Sequence, residues 1–219
     1  MLRWLPENIS TYGQGVDNLF SLIYWITVVV FVGVIGTLIV FLIKYRAQEG
    51  RRAEYIEGNN TLEVVWTVVT AVIVFGLSML SLPLWNEIKS NPPPADVIVQ
   101  VTAKQFNWDM LYPGPDGEFG TEDDLELENM LHVPVNKVVH IHLTSADAIH
   151  SFFVPQLRLK QDTLPKRSIT AWFQATKPGT YEIPCAELCG FGHSGMLGYL
   201  TVHSEESYAE WVTQRWSQQ

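Results

Sequence analysis

Cysteine is scarce: the chain has two in 219 residues, both inside the stretch CAELCGFGHSGM at 185–196. A scaffold stapled by several disulfides is therefore excluded. No C-x-x-C-H motif occurs, so this chain attaches no c-type haem. Internal repeats and low-complexity tracts are also missing. Basic residues are outnumbered, 14 Lys and Arg against 23 Asp and Glu for a formal net charge of −9, which excludes nucleic-acid binding by a basic face.

Charge of either sign is absent from two long runs. Nothing ionised lies between Asp17 and Lys44, nor between Glu63 and Glu87. Each run reaches the roughly 20 apolar residues that a helix needs to cross a bilayer, and the first is far longer than a signal-peptide core. The spacing predicts spans at about 18–43 and 64–86, with Pro83 kinking or ending the second. Asn60 with Glu63 three residues later reads as a capping-box-like start to that second helix. The loop between the spans carries Lys44, Arg46, Arg51 and Arg52, against Arg3 alone before the first span. The positive-inside bias places this loop on the cytoplasmic or matrix side, with both termini across the membrane.

After residues 1–90, the sequence PPPA at 92–95 reads as a stiff linker into a second domain, 91–219. From Asp96 the pattern becomes short alternating runs (VIVQVTAKQFNWDM, KVVHIHLTSAD, SITAWFQA, GTYEIPC, GMLGYLTVH), separated by Pro, Gly and Asn. Such spacing predicts an all-β sandwich. The end, EESYAEWVTQRW, places Tyr208, Trp211, Val212 and Trp216 at helical spacing and predicts a closing helix. This second domain holds 16 acidic and 8 basic residues, a net charge of −8 that suits a basic partner or simply keeps the domain soluble. EFGTEDDLELE at 118–128 contributes most, as a solvated loop or a weak calcium site without the spacing of a known loop.

The two cysteines admit three readings. Outside the cytoplasm a pair four residues apart is suited to a disulfide, which leaves His193 and Met196 unexplained. Two Cys with two His suit structural zinc, which has no use for Met196. Thiolate, imidazole and thioether together select copper, and a mononuclear blue-copper site would leave one thiolate over. Two bridging thiolates would use the whole set in a binuclear centre. The second imidazole must come from His132, His140, His142, His150 or His203. His140 and His142 alternate with Val139, Ile141 and Leu143 and face away from a strand's core side, whereas His150 follows that strand, where sandwich loops supply ligands.

Cys185, Glu187, Cys189, His193 and Met196 match C-x-E-x-C-x-x-x-H-x-x-M, and Asp147, His150, Ser151, Val154 and Pro155 match D-x-x-H-S-x-x-V-P. On these residues the chain resembles subunit II of the haem-copper cytochrome c oxidases over nearly its whole length. The resemblance implies a two-helix transmembrane hairpin followed by a cupredoxin-like Greek-key sandwich with a short C-terminal helix. It implies two copper ions in a copper A centre, with Cys185 and Cys189 bridging, His150 and His193 capping, and Met196 and the Glu187 carbonyl as weak ligands. The Glu187 carboxylate is then expected on a magnesium or manganese ion shared with subunit I, and Glu63 at the entrance of a proton path. Cytochrome c is the implied electron donor. Subunit I, which alone carries the haems, is the implied acceptor, alongside other oxidase subunits and membrane lipid. The implied setting is a bacterial inner membrane with the copper domain periplasmic, or its mitochondrial counterpart.

Two departures from the family pattern stand out. KQFNWD puts Phe106 where the family presents a tryptophan for electron input, leaving Trp108, and KQDTLPKR keeps Lys160, Asp162, Pro165 and Arg167 but has Lys166 in place of glycine. A membrane-tethered copper carrier or sensor, a quinol oxidase subunit, and a copper A domain of another respiratory reductase are the alternatives. The full ligand set argues against the quinol enzyme.

Overall fold

The computed structural model describes residues 5–217; Arg3, counted above in the charge bias, lies outside them. Chain contacts divide the protein into two units, a hairpin from residue 15 to 86 and a second unit built from residues 5–14 and 87 onward.

In the hairpin, α1 spans Gly13–Lys44 and α2 spans Asn60–Trp85. Both are long and apolar enough to cross a membrane, and the apolar stretch of neither is buried against the rest of the protein. An apolar face with no protein cover belongs in lipid, where every backbone group must be satisfied within the helix. The few hydroxyls obey the same rule by bonding back to carbonyls one turn earlier: Thr27 Oγ1 to Ile23 O (2.9 Å), Thr37 Oγ1 to Gly33 O (2.8 Å) and Ser78 Oγ to Val74 O (2.9 Å). The start of α2 differs from the sequence expectation. Asn59, not Asn60, is the N-cap, its Oδ1 accepting from Leu62 N at 3.0 Å. Glu63 therefore sits one position too late for a capping box, although the positive end of the helix still favours its charge. Pro83 lies inside α2, where it leaves one backbone hydrogen bond unmade, and a wide π-type turn over Asn86–Ser90 follows.

The second unit is a β-sandwich. One sheet has five strands in the order β3 (Leu125–Glu128), β2 (Asn107–Tyr112), β1 (Val97–Lys104), β5 (Val138–Ser145), β8 (Ile169–Gln174). A second has β4 (Met130–Pro134), β10 (Leu197–His203) and β9 (Gly179–Pro184). β6 (His150–Val154) and β7 (Leu159–Thr163) pair separately. The parallel pairs β1/β5 and β10/β4 carry the crossovers. Alternation sets the register: in β5, Val139, Ile141 and Leu143 point into the core beside Trp108, Phe152 and Phe173. His140 and His142 point outward to Pro93 O and Thr170 Oγ1.

Three features depart from the sequence reading. VIVQVTAKQFNWDM is two strands, β1 and β2, folded back at Gln105–Phe106 so that Lys104 faces Asn107. The end of the acidic cluster is β3, with Leu125 and Leu127 buried and Glu126 and Glu128 exposed. Residues before the first span also join the sandwich: Ile9 is fully buried, its N–H donating to Gln156 O (3.0 Å) and its carbonyl accepting from Thr176 N (2.8 Å). The closing helix α3, Glu205–Trp216, lays Trp211 on His132 with centroids 4.7 Å apart. His132 Nδ1 in turn meets His203 Nε2 at 2.8 Å.

Candidate metal centre

Cys185 directly follows β9, bridges across to Phe152 in the middle of β6, and donates its N–H to Met196 O at 3.0 Å. Ala186 N donates to Ser151 O at 3.0 Å. The segment 185–196 is thus closed at its base by β6, which bears His150, and by Met196 at the entry to β10. Within it the chain turns through Gly190, whose φ of +141° side chains rarely adopt, and a 3-10 turn at His193–Gly195. Met196 then leads into β10.

This folding brings six donors together. Cys185 Sγ lies 3.8 Å from Cys189 Sγ, 3.9 Å from His150 Nδ1 and 3.2 Å from the Glu187 carbonyl oxygen. Cys189 Sγ lies 3.6 Å from His193 Nδ1 and 3.9 Å from Met196 Sδ, while His150 Nδ1 and Met196 Sδ are 3.2 Å apart. The donor atoms of His150, Cys185 and Cys189 all lie within 4.8 Å of one another. Metal–ligand bonds of about 2.0–2.3 Å set neighbouring donors of one tetrahedral ion about 3.3–3.8 Å apart. The observed spacings, 3.2–3.9 Å, bracket that range, and both cysteines are free. Two sulfurs, two imidazoles and an inward thioether are a soft set suited to copper, and Met196, 2% exposed, is placed among them where zinc would not require it.

His150, the only histidine among the buried polar side chains of the described residues, is 0% exposed. Its Nε2 meets Asp147 Oδ1 at 2.8 Å, so that ring nitrogen carries the proton and Nδ1 turns its lone pair toward Cys185 and Met196. Partial burial raises the Asp147 pKa. The bonds from His150, Gln105 N–H and Ala148 N–H together outweigh that effect and hold the carboxyl below its usual range. At Cys189, burial first and the adjacent Cys185 second push the thiol up to about 11, so two thiolates side by side need a cation.

The other residues singled out by sequence lie as follows. The Glu187 side chain is exposed while its carbonyl faces Cys185. Glu63 is exposed in the first turn of α2. Trp108 is fully buried, its ring edge-on to His150 and Phe152, so Phe106, 38% exposed, is the aromatic of that pair at the surface. Lys166 takes φ +61° and so adopts the left-handed turn that glycine would occupy, leaving the turn intact. Sequence reasoning assigned no role to Asp147 or Gln105. An aspartate three residues before a candidate ligand histidine is a visible signal for the first; Gln105 has none, because its contacts are long-range.

Residues 98–202 match the family described as cytochrome C oxidase subunit II, periplasmic domain, and residues 3–84 match its transmembrane domain. The chain is 32% identical to cytochrome c oxidase subunit 2 of Thermostichus vulcanus over 96% of this chain and 78% of that protein. It is 31% identical to the alternative cytochrome c oxidase subunit 2 of Bradyrhizobium diazoefficiens, over 97% and 83% respectively. Among solved structures, the crystal structure of the periplasmic domain of subunit II of cytochrome oxidase (CoxB) of Bradyrhizobium japonicum is similar. Its TM-score is 0.51 at 33% identity, covering 57% of this chain and 97% of that one.

Proposed function

The chain belongs to the cytochrome c oxidase subunit II family and is a membrane protein, and from that premise we propose that it is the electron-input subunit of a haem-copper oxidase. It takes single electrons from cytochrome c and hands them to haem in subunit I, where oxygen is reduced to water with proton pumping. The observation that carries this reading is the convergence of two thiols, two imidazole Nδ1 atoms, a thioether and a carbonyl within 3.2–3.9 Å steps.

Cys185, Cys189, His150, His193, Met196 and the Glu187 carbonyl would together hold two copper ions. When bound, the metal pair supplies one-electron chemistry with one charge spread over two metals and two sulfurs, so that bonds change little. The chain's own residues prepare that site. Asp147 holds the proton of His150 on Nε2, and the Trp108 ring stands edge-on to the imidazole, which is closed off from water. The exposed Glu187 carboxylate is free to bind a magnesium or manganese ion at the subunit I interface. Glu63 stands at the entrance of a proton path on the side of the basic loop, and the acidic sandwich lies on the opposite, periplasmic side, where it meets a basic cytochrome c. Phe106 marks the surface where electrons arrive.

Copper content tests the reading. The full chain purified in detergent and loaded with copper is expected to retain two ions per chain, and Cys185→Ser no more than one. Retention of zinc alone, or isolation with Cys185 and Cys189 joined, would overturn it.

A further inference from the structure

The turn between β1 and β2 touches both halves of the donor set, although neither of its residues is a ligand. Gln105 donates from Nε2 to the Cys189 carbonyl at 2.5 Å. Its backbone N–H donates at 2.7 Å to Oδ2 of Asp147, whose other oxygen holds His150. The Phe106 ring fills the space above the two glycines that flank Phe191. A Cβ on Gly190 would stand 3.3 Å from it, and one on Gly192 only 2.5 Å. One dipeptide thus fixes the loop of Cys189 and His193 on one side and the carboxylate behind His150 on the other.

The two cysteines are held differently. Cys185 is secured by sheet contacts, to Phe152 and to the Met196 carbonyl. Cys189 lies mid-loop, four residues from the nearest strand-like anchor, where the long-range contact of its peptide is the Gln105 amide. We propose that Gln105, supported by the Phe106 ring, is a positioning residue that sets the Cys189–Gly190 peptide and so aims the Cys189 thiol at Cys185, His193 and Met196 before metal arrives. Its consequence for copper rests on the function proposed above; the fixing of the loop does not.

The experiment uses the full chain in detergent, first without metal. Gln105→Met keeps the length of the side chain and removes its donor; Gln105→Lys keeps a donor at similar reach. Alkylation of each cysteine by iodoacetamide is followed by mass spectrometry. In Gln105→Met, Cys189 is expected to react about fivefold faster than in the unaltered chain, the effect of one net hydrogen bond on an opening equilibrium, with Cys185 unchanged within about twofold. Gln105→Lys is expected to restore the slow rate. After copper loading, the Gln105→Met electron paramagnetic resonance spectrum is expected to lose the equality of its two copper couplings. Unchanged Cys189 labelling overturns the proposal, and so does an equal rise at both cysteines, which would be general loosening. A single-copper spectrum from the unaltered chain would instead overturn the proposed function, while the labelling would still decide the role of Gln105.

Discussion

His150 and Asp147 meet across 2.8 Å, imidazole Nε2 to carboxylate Oδ1, which leaves Nδ1 as the nitrogen 3.2 Å from Met196 Sδ and 3.9 Å from Cys185 Sγ. One carboxylate thereby decides both the tautomer and the aim of a fully buried ring.

Replacing that carboxylate is the first prediction. Asp147→Asn removes the charge that favours the Nε2 proton and is expected to weaken copper retention about 10- to 100-fold, as loss of a ligand's outer partner typically does. Competition with a graded series of chelators measures it. Retention equal to that of the unaltered chain would show that His150 needs no such partner.

Gly192 and Gly195 lie three residues apart in the same loop and should respond unequally to a methyl group. A Cβ on Gly192 would be 2.5 Å from the Phe106 ring, while one on Gly195 meets nothing within 4 Å. Gly192→Ala is expected to cost about 1–3 kcal/mol, as overpacking does, and Gly195→Ala little. Chemical unfolding of the metal-free chain compares them, and equal stabilities would contradict the packing described.

The contact of α3 predicts a pH dependence. Burial, then His203 and Arg215, push His132 down to about 4, and burial lowers His203 as well. Unfolded histidine titrates near 6.5, so between about 6.5 and 4 the unfolded chain binds more protons than the folded one. Stability from this cluster is therefore full above about pH 6.5 and falls as pH drops toward 4. The thermal midpoint of the second unit, followed over that range, should decline, and less steeply in His132→Gln. Parallel curves for the two would assign the decline to other groups.

The membrane hairpin and the donor set were legible in the sequence for physical reasons. Charge cannot be hidden in lipid, so two charge-free runs announce two spans. Ligands close in sequence also reveal themselves, and Cys185, Cys189, His193 and Met196 share one loop. What stayed hidden depends on pairing at a distance. The turn at Gln105–Phe106 interrupts a run that alternates across it without a break, and Ile9 joins the sandwich through Gln156 and Thr176, far along the chain. The stack of His132, His203 and Trp211 brings together β4, β10 and α3. None of these has a local signature, because backbone pairing and ring stacking are indifferent to sequence separation.

The proposed bridging of two metals by Cys185 and Cys189 is tested most directly by electron paramagnetic resonance of the full chain loaded with copper. Hyperfine structure from one unpaired electron shared equally by two copper nuclei is expected, collapsing to a single nucleus in Cys185→Ser. A single-copper spectrum from the unaltered chain, or sharing that survives Cys185→Ser, would contradict it.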